Sequence, residues 1–209
     1  MSSVFLRSCC AATAAALIGG CTASTQISSN VTRDANRSPR RVFIASHLLD
    51  LSKGPNFGPL FAEGFDARLT GSLRTCGAEV MLKEMSGIDL ETDQLASTIE
   101  AFRPDTMMVV HTTLTTVTRA GEPVNATFGV DLYEPAAARG ARKEPPLRAV
   151  WRSSVQFTPG GKFQPMDDKG KVVAAAVIQR LEQDGFFPGC ASAENASTKP
   201  VETADTTAQ

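Results

Sequence analysis

The chain has 209 residues, with 21 Lys and Arg against 22 Asp and Glu and a formal net charge of −1. With an amino-terminal export signal set aside, that length leaves room for one domain of ordinary size. Charge so near balance, with no basic concentration beyond the short cluster Arg37, Arg40 and Arg41, argues against a nucleic-acid partner.

Residues 1–21 read MSSVFLRSCCAATAAALIGGC. Arg7 is the only charge, an apolar run extends from Cys9 to Ile18, and Gly19-Gly20 follow, which is the plan of an export signal. The run falls short of the roughly 20 apolar residues that a membrane-spanning helix needs. Leu17-Ile18-Gly19-Gly20-Cys21 resembles the bacterial lipobox, with Ile18 where leucine is commoner. The resemblance implies cleavage before Cys21 and lipid on its thiol. Thr22, standing where an aspartate retains such proteins at the inner membrane, implies the periplasmic face of the outer membrane. The alternative is ordinary cleavage at an A-x-A-like site, but Ala11-Ala12-Thr13-Ala14 lies inside the apolar run. Acyl chains contribute about 0.8 kcal/mol per buried methylene, and stable anchoring takes more than one.

Residues 21–40 are rich in Ser, Thr, Asn and Arg and are expected to form a flexible tether. The globular part is expected over 41–190, and residues 191–209 as a disordered tail. RVFIASH at 41–47 reads as a strand. Phe61, Phe65, Leu69 and Leu73 recur every four residues behind Pro59, one face of a helix that Gly77 ends. AEVMLK at 78–83 is a second strand. A second helix over 89–103 carries Leu95, Ile99 and Phe102 on one face and stops at Pro104.

TMMVVHTTLTT at 106–116 is a β-branched third strand. Residues 125–133 alternate, with Ala126, Phe128, Val130 and Leu132 on one side. Residues 147–157 alternate again, with Leu147, Ala149, Trp151, Ser153, Val155 and Phe157 on one side, so both read as antiparallel strands with one wet face. Asp167 or Asp168 is expected to cap a last helix carrying Val172, Val173, Ala176, Val177 and Leu181, with Gly185 at its end.

The expected fold is therefore α/β (α+β): a single βαβαβ-ββ-α domain with a mixed five-stranded sheet and three helices mainly on one face. The first three strands are expected to be parallel, in the order 2-1-3, joined by right-handed crossovers. This order behind a lipobox resembles the α/β domain of several periplasmic assembly proteins. These are the amino-terminal domain of TolB, the curli secretion channel lipoprotein, the outer-membrane activators of penicillin-binding proteins and the Pel polysaccharide lipoprotein. Asp105 to Thr113 resembles the third strand of that group, and Asp131-Leu132-Tyr133 with Val150-Trp151-Arg152 its paired strands across a variable loop. The resemblance covers residues 41–187. It implies a scaffolding role for an envelope machine and carries over no catalytic residue.

Cys9 and Cys10 leave with the signal and Cys21 takes lipid, so Cys76 and Cys190 remain as an even pair in an oxidising compartment. The topology puts both at the edge where the parallel strands begin, and a disulfide is expected there; two independent buried thiols are the alternative. His47 ends the first strand and His111 lies late in the neighbouring third, with Asp50 close by, a weak candidate for a metal or acid–base site against the commoner structural histidine. Asp167-Asp168 fits no calcium loop, and Thr158-Pro159-Gly160-Gly161-Lys162 lacks phosphate-loop spacing. No serine lies in G-x-S-x-G, and Cys76 has no partner histidine in a recognisable signature. The sequons at Asn30, Asn36, Asn125 and Asn195 are read as coincidental in a bacterial chain.

The leading expectation is an outer-membrane lipoprotein, non-enzymatic and without cofactor, that supports an envelope assembly or transport complex. Its partners would be the membrane through the lipid, an envelope protein and, in some relatives of this topology, further copies of itself. A lipid-anchored polysaccharide- or small-ligand-binding module comes second, an enzyme third. The basic segment 139–148 is a candidate contact for anionic glycans, with a solvated loop as the bland reading.

Overall fold

The computed structural model describes residues 23–49, 57–85, 92–119, 123–135, 147–160 and 165–190. The chain forms six strands and three helices: β1 (Ser24–Val31), β2 (Arg41–His47), α1 (Pro59–Thr75), β3 (Glu79–Glu84), α2 (Thr92–Phe102), β4 (Thr106–Val117), β5 (Pro123–Pro135), β6 (Leu147–Thr158) and α3 (Met166–Gln183). The strands make one mixed sheet in the order β1-β6-β5-β4-β2-β3. β3 and β4 flank β2 in parallel, and β5, β6 and β1 continue antiparallel from β4. The fold is the α/β class expected, and the order of its parallel strands is the expected one.

The sheet therefore has two distinct edges. At the upper edge β2, β3, β4 and β6 finish, β1 and β5 begin, and all three helices start. At the lower edge the helices end.

β2 is covered on both faces, which is why RVFIASH reads as a continuous apolar run. Val42 and Ile44 face the main core, and Phe43 and Ala45 face a second cluster with Phe102, flanked by Leu95 and Ile99 of α2. α1 and α3 share the main-core face, and α2 takes the other. The main core includes Phe57, Phe61, Phe128 and Phe157, with the Phe61 and Phe128 rings stacked at 5.5 Å and Phe57 edge-on to Phe157 at 5.4 Å. Burying each such ring contributes about 1.5–3 kcal/mol.

α1 and α3 cross at two glycines. A Cβ on Gly64 would lie 2.1 Å from the Asp167 carbonyl oxygen, and one on Gly170 would lie 2.2 Å from that of Phe61. α1 carries the expected apolar line Phe61, Phe65, Leu69 and Leu73. Gly77 beyond it has φ +83°, the left-handed conformation that makes glycine suit a helix end.

The expected five strands are six. Residues 24–31 lie in the segment read as a flexible tether, yet they pair with β6 in an unbroken antiparallel register from Ser24–Thr158 to Val31–Trp151. The physical reason is a faint alternation in a polar sequence. Thr25, Ile27 and Ser29 turn toward α3 while Ser24, Gln26, Ser28 and Asn30 stay in solvent.

Three finer expectations also change. Neither Asp167 nor Asp168 caps α3: Pro165 holds that position, and both carboxylates pair with Lys171 at 2.9 and 3.0 Å. Val172 is 42% exposed, because the buried line of α3 runs through Val173, Ala174, Val177, Ile178 and Leu181. In β6 the alternation breaks at a bulge. Leu132 pairs with Trp151 and Tyr133 with Ala149, so Val150 is an extra residue and both it and Trp151 are buried, while Leu147 is 52% exposed.

At the lower edge Cys76 and Cys190 come together with Cα atoms 5.2 Å apart, a separation that a disulfide spans. The signal and Cys21, the tail over 191–209, Asp50 and most of the basic 139–148 segment lie outside the described residues.

Candidate functional site

α2 covers only the β2 and β3 side of its sheet face. The rest of that face, across β1, β6, β5 and β4, has no helix over it among the described residues. On β1 and β6 every second residue is polar there, among them Gln26, Ser28, Asn30, Arg152 and Ser154, as an uncovered antiparallel face requires, whereas β4 presents Met107 and Val109 before His111. A shallow groove of about 350 Å³ runs across it, lined by Asn30, His111, Asp131, Arg152 and Ser154 among others.

Gly129 shapes this groove. It pairs with His111 across β4 and β5, and a Cβ at that position would lie 2.3 Å from His111 Cε1. Its absence lets the imidazole lie down across β5. One pair further, Asp131 faces Arg152 in cross-strand register. The Tyr133 hydroxyl donates to Asp131 Oδ2 at 3.2 Å. Burial, with the adjacent Asp131 charge, pushes the Tyr133 phenol up from its ordinary value, so it is a donor throughout the neutral range. The groove thus offers an imidazole, a guanidinium, a carboxylate and hydroxyls, which suits hydrogen bonding to a polyol or a polar chain.

His47 and His111 are Cα partners on adjacent parallel strands, both half-buried. The topology brings together the pair singled out in the sequence. No group of three or more His, Cys, Asp or Glu able to hold a metal occurs among the described residues. Neither Cys76 nor Cys190 lines this groove.

Two polar clusters were not anticipated. One centres on Asp184, whose Oδ2 accepts hydrogen bonds from Trp151 Nε1 at 2.7 Å, Arg180 Nε at 3.2 Å and the Ser29 hydroxyl. Arg37 donates to the Asp184 carbonyl at 2.7 Å, and its guanidinium lies 4.7 Å from the centre of the Phe186 ring. Burial opposes ionisation of Asp184, but the Ser29 and Trp151 donors and the Arg180 charge outweigh it and hold the carboxyl below its usual range. The lone tryptophan was the available signal, since a buried indole N–H needs an acceptor.

The other cluster is Asp66 on α1, 3% exposed, which accepts from the Ser46 hydroxyl at 3.0 Å while its second oxygen has no partner. Burial pushes its pKa up to about 7, with the Ser46 donor opposing and the Glu84 charge adding to the rise. Its signal was the spacing Ala62, Asp66, Thr70, which places an acid on the inward face of α1.

No protein-family profile matches the chain, and no curated protein matches it. Among solved structures it is similar to a PelC dodecamer from Paraburkholderia phytofirmans in space group P6, at 12% identity and a TM-score of 0.46, covering 76% of this chain and 97% of that one. It is also similar to a dodecamer of a PelC point variant from the same organism in space group C2, at 13% identity and a TM-score of 0.47, covering 76% of this chain and 98% of that one.

Proposed function

We propose that the protein is a lipid-anchored, non-enzymatic accessory of a bacterial envelope assembly or transport complex, held by Cys21 on the periplasmic face of the outer membrane. One observation supports the reading: the segment that resembles a lipobox ends at Cys21, and the sheet begins three residues later at Ser24. At ~3.3–3.6 Å per residue those three steps reach only about 10 Å. Such an anchor leaves no long tether, so the domain works against the bilayer and not far out in the periplasm. The lower edge, turned away from the lipid, presents exposed Arg33, Arg40 and Arg103 to an envelope partner.

A second reading, a lipid-anchored glycan- or small-ligand-binding module, is favoured by the groove beside His111, Asp131 and Arg152. The two readings share the anchor and differ in what the domain holds.

Metabolic labelling with an alkyne fatty acid, followed by envelope fractionation, tests the anchor. The wild-type chain is expected to carry label and sediment with the outer membrane, and Cys21→Ser to lose both. Label that persists in Cys21→Ser overturns the reading. Photocrosslinking from position 103 then captures an envelope protein or a second copy on the first reading, and capture of glycan alone favours the second.

A further inference from the structure

We infer that the upper edge of the sheet is a membrane-contact surface, in which the β4–β5 hairpin and the first turn of α1 sit in the headgroup layer of the phospholipid leaflet that holds the Cys21 lipid. The inference rests on the lipobox reading above and adds an orientation to it.

The chain enters the domain at this edge. Ser24 pairs with Thr158 and Ala126 with Phe157, so the first residue of β1 stands level with Asn125, near the start of β5. The paired ends of β4 and β5 extend beyond the described ends of strands β2 and β6. The last pair between β2 and β4 is His47–His111, whereas β4 continues to Val117, and β5 before Ala126 has no partner on β6.

This projecting end carries exposed apolar side chains. Leu114 is 61% exposed, Val117 36% and Val124 42%, with Leu60 at 58% in the first turn of α1. Val31 and Leu147, also exposed, lie at the lower edge. Single exposed apolar residues need no explanation, but four at the one end where a lipidated cysteine lies within about 10 Å do. Around them stand the exposed Thr116 and Thr118 and the exposed cation Arg119. Hydroxyls and one cation beside aliphatic groups match the polar-to-apolar gradient of a headgroup layer with anionic lipids. Interfacial segments bury their apolar groups ~5–10 Å deep, and the three-residue reach from Cys21 keeps Ser24 within about 10 Å of that cysteine.

The experiment uses the full lipidated chain, purified and reconstituted into phosphatidylethanolamine–phosphatidylglycerol vesicles. Val117→Cys, Val124→Cys and Leu147→Cys are each labelled with bimane, and flotation is run on every sample. At 117 and 124 quenching by aqueous iodide is expected to fall at least about threefold on reconstitution, as interfacial burial requires. Quenching by headgroup-proximal nitroxide lipid is expected to rise there, and the probe at 147 is expected to stay open to iodide. All three positions are exposed, and circular dichroism checks that each variant folds. Protein that floats while the 117 and 124 probes remain as open as the 147 probe overturns the orientation and leaves the anchor standing. Protein that fails to float overturns both.

Discussion

Trp151 and Asp184 are joined by a 2.7 Å hydrogen bond from indole to carboxylate, and the same carboxylate oxygen accepts from Ser29 on β1. One acid at the end of α3 therefore ties the outermost strand to the core. Arg180 supports both partners, donating to Ser29 Oγ at 2.8 Å and to Asp184 at 3.2 Å. Hydrogen bonds to a charged group contribute about 1.5–3 kcal/mol each in favourable settings. Asp184→Ala is expected to destabilise the domain by about 2 kcal/mol, with the loss concentrated on β1. Hydrogen exchange at residues 24–31 should rise well before the rest of the sheet responds. Exchange that rises uniformly would show that the carboxylate does not latch β1. Because the Asp184 carboxyl is held below its usual range, its contribution is present at neutral pH and is lost only as pH falls below the ordinary aspartate value of 3.8.

Asp66 titrates in the opposite direction. Its folded pKa of about 7 lies above the unfolded value of 3.8. The folded state therefore keeps a proton that the unfolded state has lost. Stability from this group is complete below pH 3.8, declines between 3.8 and about 7, and is gone above that. Asp66→Asn keeps an acceptor for Ser46 and removes the titration. Urea unfolding should show the variant more stable than wild type by roughly 4 kcal/mol at pH 8.5 and close to it at pH 4. A difference independent of pH would mean that Asp66 is not the titrating group.

Much of this fold was legible because the elements follow their periods. The line Phe61, Phe65, Leu69, Leu73 and the alternation Ala126, Phe128, Val130, Leu132 face the core as read. β1 was hidden because its inward positions are Thr25, Ile27 and Ser29, only one of them strongly apolar. A strand of that composition is held by its neighbour's ladder and by Asp184, both remote in sequence. The bulge at Val150 was hidden for a related reason: it is set by the pairing with β5 and not by the residues of β6. Within the groove, His111 was visible as a chemical group. Its posture was not, because that depends on the missing side chain of Gly129 across the ladder.

The α1–α3 crossing gives a sharper packing test. Gly64→Ala would set a Cβ 2.1 Å from the Asp167 carbonyl oxygen, a backbone atom with no flexible end to yield. Helix propensity favours alanine by about 1 kcal/mol, but overpacking costs typically 1–3 kcal/mol and occasionally more. The clash should win, lowering the urea midpoint without changing m. Gly71→Ala is the control, since nothing lies within 4 Å of its Cβ position. It is expected to be neutral or stabilising. Equal behaviour of the two variants would remove the close crossing from the account.

The last test concerns Cys76 and Cys190, 114 residues apart in sequence with Cα atoms separated by 5.2 Å. They join the end of α1 to the chain just beyond α3, so a covalent bond there closes the chain from β3 through α3 into one loop, with β1, β2 and α1 outside it. Chain entropy assigns a loop of that length about 4–5 kcal/mol, and measured values often fall lower. Non-reducing mass spectrometry of the periplasmically expressed protein should find the two as one disulfide-linked peptide pair. The double variant Cys76→Ser, Cys190→Ser should unfold at lower urea by an amount equivalent to about 2–4 kcal/mol. Reductant should bring the wild type to the same midpoint and leave the double variant unmoved. Free thiols at both positions in the untreated protein, or a reductant response that persists in the double variant, would place the stabilisation elsewhere.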